Sequence, residues 1–244
     1  MSYYAILFLA AYLVLLVALY LLPAGIFYWY FNRNTARSGS QKISKGTATR
    51  KDIYRDIKWS LISLAIFSFF AVIFYEWVGQ GYTRMYYDFF EHGWFYPVVS
   101  FFLSLLIFDT YHYWFHRFMH LPGIFRHFHR VHHLSIAPTP WSMFAFGPLE
   151  AIIQIGIYPV LLFLLPLHPI VFGAFVIYVI LINVGGHTSV ELTPAHWSKH
   201  FLFKYNNRVS HHDFHHSNSR YNFGTCFNIW DRIANTFRDV PNQS

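Results

Sequence analysis

The 244-residue chain is short of charge and nearly devoid of cysteine. Only 12% of its residues are Asp, Glu, Lys or Arg, about half the charged share of an ordinary soluble domain. A water-soluble globule needs a charged skin, and 18 basic and 11 acidic residues, clustered as they are, do not supply one. Disorder is excluded as well, because 55% of the chain is apolar and 22% is aromatic. The lone cysteine, Cys226, can form neither an internal disulfide nor a thiolate cage, so any metal must be held by nitrogen and oxygen. No G-x-G-x-x-G fingerprint of a flavin or nicotinamide site is present.

What is abundant is apolar sequence in membrane-length runs. Residues 1–32 carry no Lys, Arg, Asp or Glu, and about 20 apolar residues suffice to cross the hydrocarbon core. A first span is expected at about 3–29. Its apolar run is too long for a signal peptide core, it lacks a basic leader, and the aromatics Phe27 to Phe31 read as an interfacial belt. The next stretch holds Arg33, Arg37, Lys42, Lys45, Arg50, Lys51, Arg55 and Lys58 against Asp52 and Asp56. By the positive-inside rule this loop is cytoplasmic, and it accounts for eight of the 18 basic residues, so the net charge of +7 gives no support to nucleic-acid binding. Further spans follow at about 59–75, 93–108 and 150–185. The last is read as a hairpin because Pro159, Pro166 and Pro169 interrupt it. The expected architecture is a single all-α, multi-pass membrane domain over residues 1–244 with about four spans. A histidine-rich helical cap, residues 109–149 and 187–244, then lies on the cytoplasmic face.

Histidine is distributed like no other residue. Of 16 histidines, seven fall in 112–133 and seven in 187–216. His116 and His120 are four apart, and His129, His132 and His133 repeat the i, i+3, i+4 spacing of His212, His215 and His216. On helices such sets project from one face and bring imidazoles within reach of a common ion. An isolated histidine in a membrane protein is most often an interfacial or hydrogen-bonded residue. Eight at helical spacing on one membrane face point instead to metal, and their number suffices for two ions of about four ligands each. Imidazole suits iron, zinc and copper alike. Two adjacent ions with little carboxylate favour iron engaged in oxygen chemistry.

With these boxes the chain resembles the fatty acid hydroxylase and sterol desaturase superfamily, whose pattern H-x-x-x-H, H-x-x-H-H, H-x-x-H-H is met by His116/His120, His129/His132/His133 and His212/His215/His216. The segments R-D-I-K-W from Arg55, G-Y-T-R from Gly81, A-P-T-P-W from Ala137, Y-N-F-G from Tyr221 and I-W-D-R from Ile229 look like sterol C-5 desaturases of the lathosterol oxidase type. D-T-Y-H-Y from Asp109 and H-H-D-F-H-H from His211 look equally like C-4 methylsterol oxidases. One departure stands out: where C-5 desaturases have A-F-H-P this chain has A-F-G-P, with Gly147 replacing histidine.

The resemblance implies a histidine-ligated pair of irons that uses O2 to attack an unactivated lipid C–H bond, fed by an external electron donor of cytochrome b5 or ferredoxin type. Metal ligation carries over to His116, His120, His129, His132, His133, His212, His215 and His216. His187, in N-V-G-G-H after the hairpin, is a ninth candidate, and Asn183 a weaker one. His112, His127, His196, His200 and His211, with Asp109, Glu150, Glu191 and Asp213, are candidates for orienting the ligands. No catalytic residue beyond the metal centre and no separate cofactor-binding residue is expected. The aromatics Trp114, Phe115, Trp141, Phe144 and Phe146 are candidates for lining a lipid cleft, and the basic loop for docking an acidic donor. Sterol C-5 desaturation leads the reactions implied, ahead of C-4 methyl oxidation and of fatty-acyl or ether-lipid hydroxylation. The rival from another class is a His-rich membrane metal transporter or store; it is disfavoured because the boxes lie past the ends of the spans, whereas transport ligands sit near the bilayer midplane. The expected location is the endoplasmic reticulum in a eukaryote and the cytoplasmic membrane in a bacterium.

Overall fold

The computed structural model describes residues 2–33, 43–44, 46–194, 197, 200–201 and 203–240. Arg37, Lys42 and Lys45 of the basic loop, and His196, lie outside the described residues. Helices dominate, no strand occurs among the described residues, and the only bridges are isolated ones such as Met85 with Leu167. Four helices are long and apolar enough to cross a membrane: α1 (Tyr3–Asn32), α2 (Arg50–Gly79), α3 (Tyr96–Met119) and α7 (Pro169–Gly186). Between α3 and α7 come the short α4 (Phe125–Phe128), α5 (Pro148–Ile155) and α6 (Ile157–Leu164); α8 (Val209–Ser217) and α9 (Ile229–Ile233) follow α7.

Local chemistry sets the ends of these helices, and two of them differ from the expected spans. Helix α2 begins nine residues early because Thr49 and Asp52 form a reciprocal cap: the Asp52 N–H donates to Thr49 Oγ1 at 3.2 Å and the Thr49 N–H to Asp52 Oδ2 at 3.0 Å. Helix α3 does not stop at Phe108 as expected but continues through Met119, so His112 and His116 belong to a spanning helix rather than to the cap. The acidic Asp109 is no breaker there. Its buried Oδ1 accepts the backbone N–H groups of Cys226 at 2.9 Å and Phe227 at 3.0 Å, which supply the solvation that water would otherwise give.

The hairpin is present as two arms, α5–α6 and α7. Gly156 separates α5 from α6 and admits Tyr111, whose hydroxyl donates to the Ile153 carbonyl at 2.8 Å; a Cβ at Gly156 would stand 2.7 Å from that oxygen. Pro166 and Pro169 end the first arm and open α7, where His168 Nδ1 caps the Ile170 N–H. One apolar cluster joins α1, α2, α5 and α7 around Leu64, Phe67, Phe144 and Ile180. A second joins α3, α6 and α7 around Phe108, Leu161 and Phe175. The segment 141–147 belongs to the first cluster, to which Met143, Phe144 and Phe146 contribute. Tyr20 and Ser60 donate to the Trp141 carbonyl, Asn183 to that of Met143 and Ser63 to that of Phe146, so its backbone is satisfied away from water.

Candidate metal centre

Nine histidines converge at one end of α3 and α7. They form two groups, one of His116, His120, His129, His133 and His215, the other of His132, His187, His212 and His216. Within each group one ring nitrogen from every residue lies within 4.8 Å of the others. All nine sequence candidates are thus brought together, but not box by box. The i, i+3, i+4 spacing is expected to bring the imidazoles of one set within reach of a common ion, and the second and third sets are instead divided between the two groups. On α8, His212 and His216 stand about 40° apart and face one group, while His215 stands about 60° to the other side and faces the second, since each residue advances about 100°. The middle box is not a single helix: His129 caps α4 and His132–Leu134 is a 3₁₀ turn, which sends His129 and His133 one way and His132 the other.

Hydrogen bonds fix which ring nitrogen points inward. His116 Nδ1 donates to the Phe223 carbonyl at 2.7 Å, His215 Nδ1 to that of Tyr221 at 2.7 Å, and His187 Nδ1 to that of Asn183 at 2.8 Å. His129 Nδ1 donates to Glu150 Oε1 at 2.7 Å, a pair with neither partner more than 2% exposed. With Nδ1 protonated, each of these four neutral rings turns a bare Nε2 lone pair inward. Two of those lone pairs meet: the His116 and His129 Nε2 atoms are 2.9 Å apart, while the His120 Nε2 lies 3.1 Å from the bare Nε2 of His215 and 3.2 Å from the Nε2 of His133. In the second group the corresponding separations are 3.1 Å for His212 with His216 and 3.5 Å for His212 with His187. His132 Nδ1 and His216 Nδ1 are buried with no hydrogen-bond partner among the described residues. Burial, joined by repulsion from His116 and His133, holds His120 down to about 2, and burial first of all takes His133 to about 3 and His187 to about 4. The rings are therefore neutral, as ligands must be. Between the two bare nitrogens of His116 and His129 no proton is available to form a hydrogen bond, and lone pairs this close repel. A shared cation removes that repulsion: ligands about 2.0–2.1 Å from one ion stand about 3.0–3.4 Å from each other. The donor set fits a metal pair.

The other candidates have separate places. Asn183 gives its side-chain amide to Met143 and its carbonyl to His187, so it orients a ligand. Glu150 does the same for His129. His112 meets the Thr225 hydroxyl at 2.6 Å and belongs to neither group. His211 lies between Asn207 and Asp239, Glu191 accepts from Thr193 and Ser210, and His127 and His200 are exposed. Sequence reasoning missed the scaffold formed by segment 221–228. Asp231, buried, accepts the N–H groups of Phe223 at 2.9 Å and Gly224 at 2.8 Å, while Asp109 holds Cys226 and Phe227. The signal was present in Y-N-F-G and I-W-D-R: Asn222 takes a positive φ of 59° that asparagine tolerates, and its side chain bridges His211 and Arg238.

An apolar cavity of about 500 Å³ leads to both groups. Its walls run from Val78 and Pro169 at the far ends of α2 and α7 to His116, His129, His132, His187 and His212. Phe144 and Phe146 line it as expected; Trp114 and Phe115 instead face outward, and Trp141 packs on Tyr20 and Tyr28.

The model of the fatty acid hydroxylase family matches residues 101–236, more than half of the chain. Human lathosterol oxidase is 30% identical over 192 residues, covering 78% of this chain and 62% of that protein. A Delta(7)-sterol 5(6)-desaturase of Gibberella zeae is 29% identical over 193 residues, 78% of this chain and 57% of its own length. The chain thus spans about three fifths of these relatives. No solved structure matches it.

Proposed function

The chain belongs to the fatty acid hydroxylase family, and on that premise we propose that it is a membrane-embedded, O2-dependent oxidoreductase acting on a lipid C–H bond, with sterol C-5 desaturation as its reaction. The observation that carries the metal reading is the inward pairing of bare imidazole nitrogens, His116 against His129 above all. Five histidines would hold one iron and four the other. The irons would supply the redox chemistry that activates dioxygen, with electrons from a cytochrome b5-type or ferredoxin-type donor. The chain supplies the rest. The apolar cavity takes the lipid from the bilayer, keeps water away and brings one stretch of it against the histidines; position in the cavity then selects the carbon that reacts. Glu150, Asn183, Tyr221 and Phe223 hold the ligand rings by their Nδ1 protons. The basic loop and the start of α2 set the histidines on the cytoplasmic face; Arg55 there is paired with Asp52 and Asp56.

One of the two relatives carries 5(6)-desaturation of a sterol in its name and the other oxidation of a sterol, and Gly147 does not argue against that reading. A side chain at 147 would point toward Val131 and the Phe128 carbonyl, and Gly147 is not part of the cavity wall, so the lost histidine leaves the lipid's surroundings unaltered. The test pairs iron analysis of purified protein with lipid profiling of cells lacking C-5 desaturase. About two irons per chain and a sterol two hydrogens lighter are expected, and His132→Ala should abolish turnover with the protein still in the membrane. A product heavier by one oxygen would replace desaturation with hydroxylation. Undiminished turnover by His132→Ala would overturn the metal mechanism.

A further inference from the structure

Two smaller chambers, each with several polar side chains in its wall, lie behind His187 and His212 of the four-histidine group. The inner one, about 150 Å³, shares Asn183, His187, His212 and Thr225 with the apolar cavity. The outer one, about 130 Å³, shares Ile182, Thr193, Asn207 and Arg208 with the inner one. The outer chamber ends at Lys204, Arg232 and Asp239, all exposed. The three cavities therefore follow one another from the spans, past His187 and His212, to the protein surface. Only the first, at about 500 Å³ against about 150 and 130 Å³, is large enough to take a lipid.

From this succession, and resting on the proposed function, we infer that the chambers are an aqueous route to the ion held by His132, His187, His212 and His216, and that this ion carries the exchangeable position. The chemistry requires such a route. Desaturation of one C–C bond by O2 takes two hydrogens from the lipid, two electrons from the donor and two protons from water, and releases two water molecules. A lipid seated in the apolar cavity closes that side to water, while protons and product water must pass at each turnover. The chambers offer hydrogen-bonding walls for this traffic in Thr193, Asn207 and Thr225. Their rigidity comes from Glu191, which ties Arg208 at 3.3 Å, Ser210 and Thr193 together. Lys204, Arg208 and Arg232 outnumber Asp239 along the outer chamber, which favours the entry of small anions. The five-histidine group has no residue in either chamber.

Azide, a small anion that binds open metal positions, is the probe. The full chain is loaded with Co(II) in nanodiscs, its cobalt content is measured, the apolar cavity is saturated with sterol, and azide binding is followed by stopped-flow visible absorption. The expected result is about one azide per chain, bound as readily with sterol present as without it. Ile182→Phe, at the junction of the chambers, should slow binding about tenfold at unchanged cobalt content, and Ile182→Ala should accelerate it about twofold. Val176→Phe, in the wall of the apolar cavity, should leave the rate as it is. Azide binding abolished by sterol, rates indifferent to both Ile182 variants, or slowing by Val176→Phe would each overturn the route while leaving the metal reading intact. Absence of bound cobalt would overturn the metal reading, and the route with it. Cobalt content reports whether Ile182→Phe has folded; if it has not, Ile182→Ala and the sterol comparison decide.

Discussion

Glu150 shows how one buried carboxylate governs a ligand it does not replace. It is fully buried at the start of α5, and its Oε1 fixes His129 in the tautomer that turns Nε2 inward. Glu150→Gln keeps an acceptor for the His129 Nδ1 proton but takes away a group that can become a carboxylate when the ring binds a cation. Metal affinity should fall about 10- to 100-fold, read by competition with a chelator; unchanged affinity would mean that His129 needs no such support. At this scale the sequence was informative about identity and silent about allegiance. Eight of the nine histidines could be picked out by spacing, and His187 only by the family resemblance. Their division between groups could not, because neighbours such as His132 and His133 part company only when the backbone between α4 and the 3₁₀ turn is known. The acceptors behind His116, His187 and His215 are backbone carbonyls, which leave no mark in a side-chain pattern.

Among the elements, the segment 221–228 is the one on which the centre depends most. It contributes no ligand, yet its carbonyls hold His116 and His215, and it is itself held by Asp109 and Asp231. Gly224 sits at its narrowest point, where a Cβ would overlap the Phe227 carbonyl and stand 3.0 Å from Asp231 Oδ2. Gly224→Ala should therefore destabilise the protein by about 1–3 kcal/mol and reduce bound iron, seen in melting curves and metal analysis of the same preparation. A variant with wild-type melting and full iron would show that the segment yields without consequence. The ends of α2 and α3 were hard to place for a related reason. Charge was taken as a boundary, but Asp52 is a cap and Asp109 a buried acceptor, and both roles require partners distant in sequence or geometry that hydropathy does not carry.

For the whole molecule, apolar runs, loop charge and proline positions were enough to foretell four spanning helices with a hairpin, since these depend on composition alone. The cavity between them was not foretold, because it is defined by which faces fail to touch. Gly173 lines it, and a Cβ added there meets nothing within 4 Å. It lies 14 residues before His187, about 21 Å along α7 at 1.5 Å per residue. Gly173→Leu should thus fill the end remote from the histidines, raise KM for a full-length sterol about tenfold and leave iron content alone. A substrate with a shortened tail should recover the wild-type value, and equal impairment of long and short substrates would refute a lengthwise pose.

The crossing of ligands between the two groups has a mechanical meaning. Because α8 and the turn carrying His132 and His133 each contribute to both histidine groups, the distance between any ions held there would be gauged by these shared segments rather than by the docking of two independent lobes. Like two gears keyed to one shaft, the shells hold their register when the surrounding spans breathe in the bilayer. On the proposed metal reading, emptying one group would loosen a helix that the other group also uses, so the two ions are expected to fill and drain together.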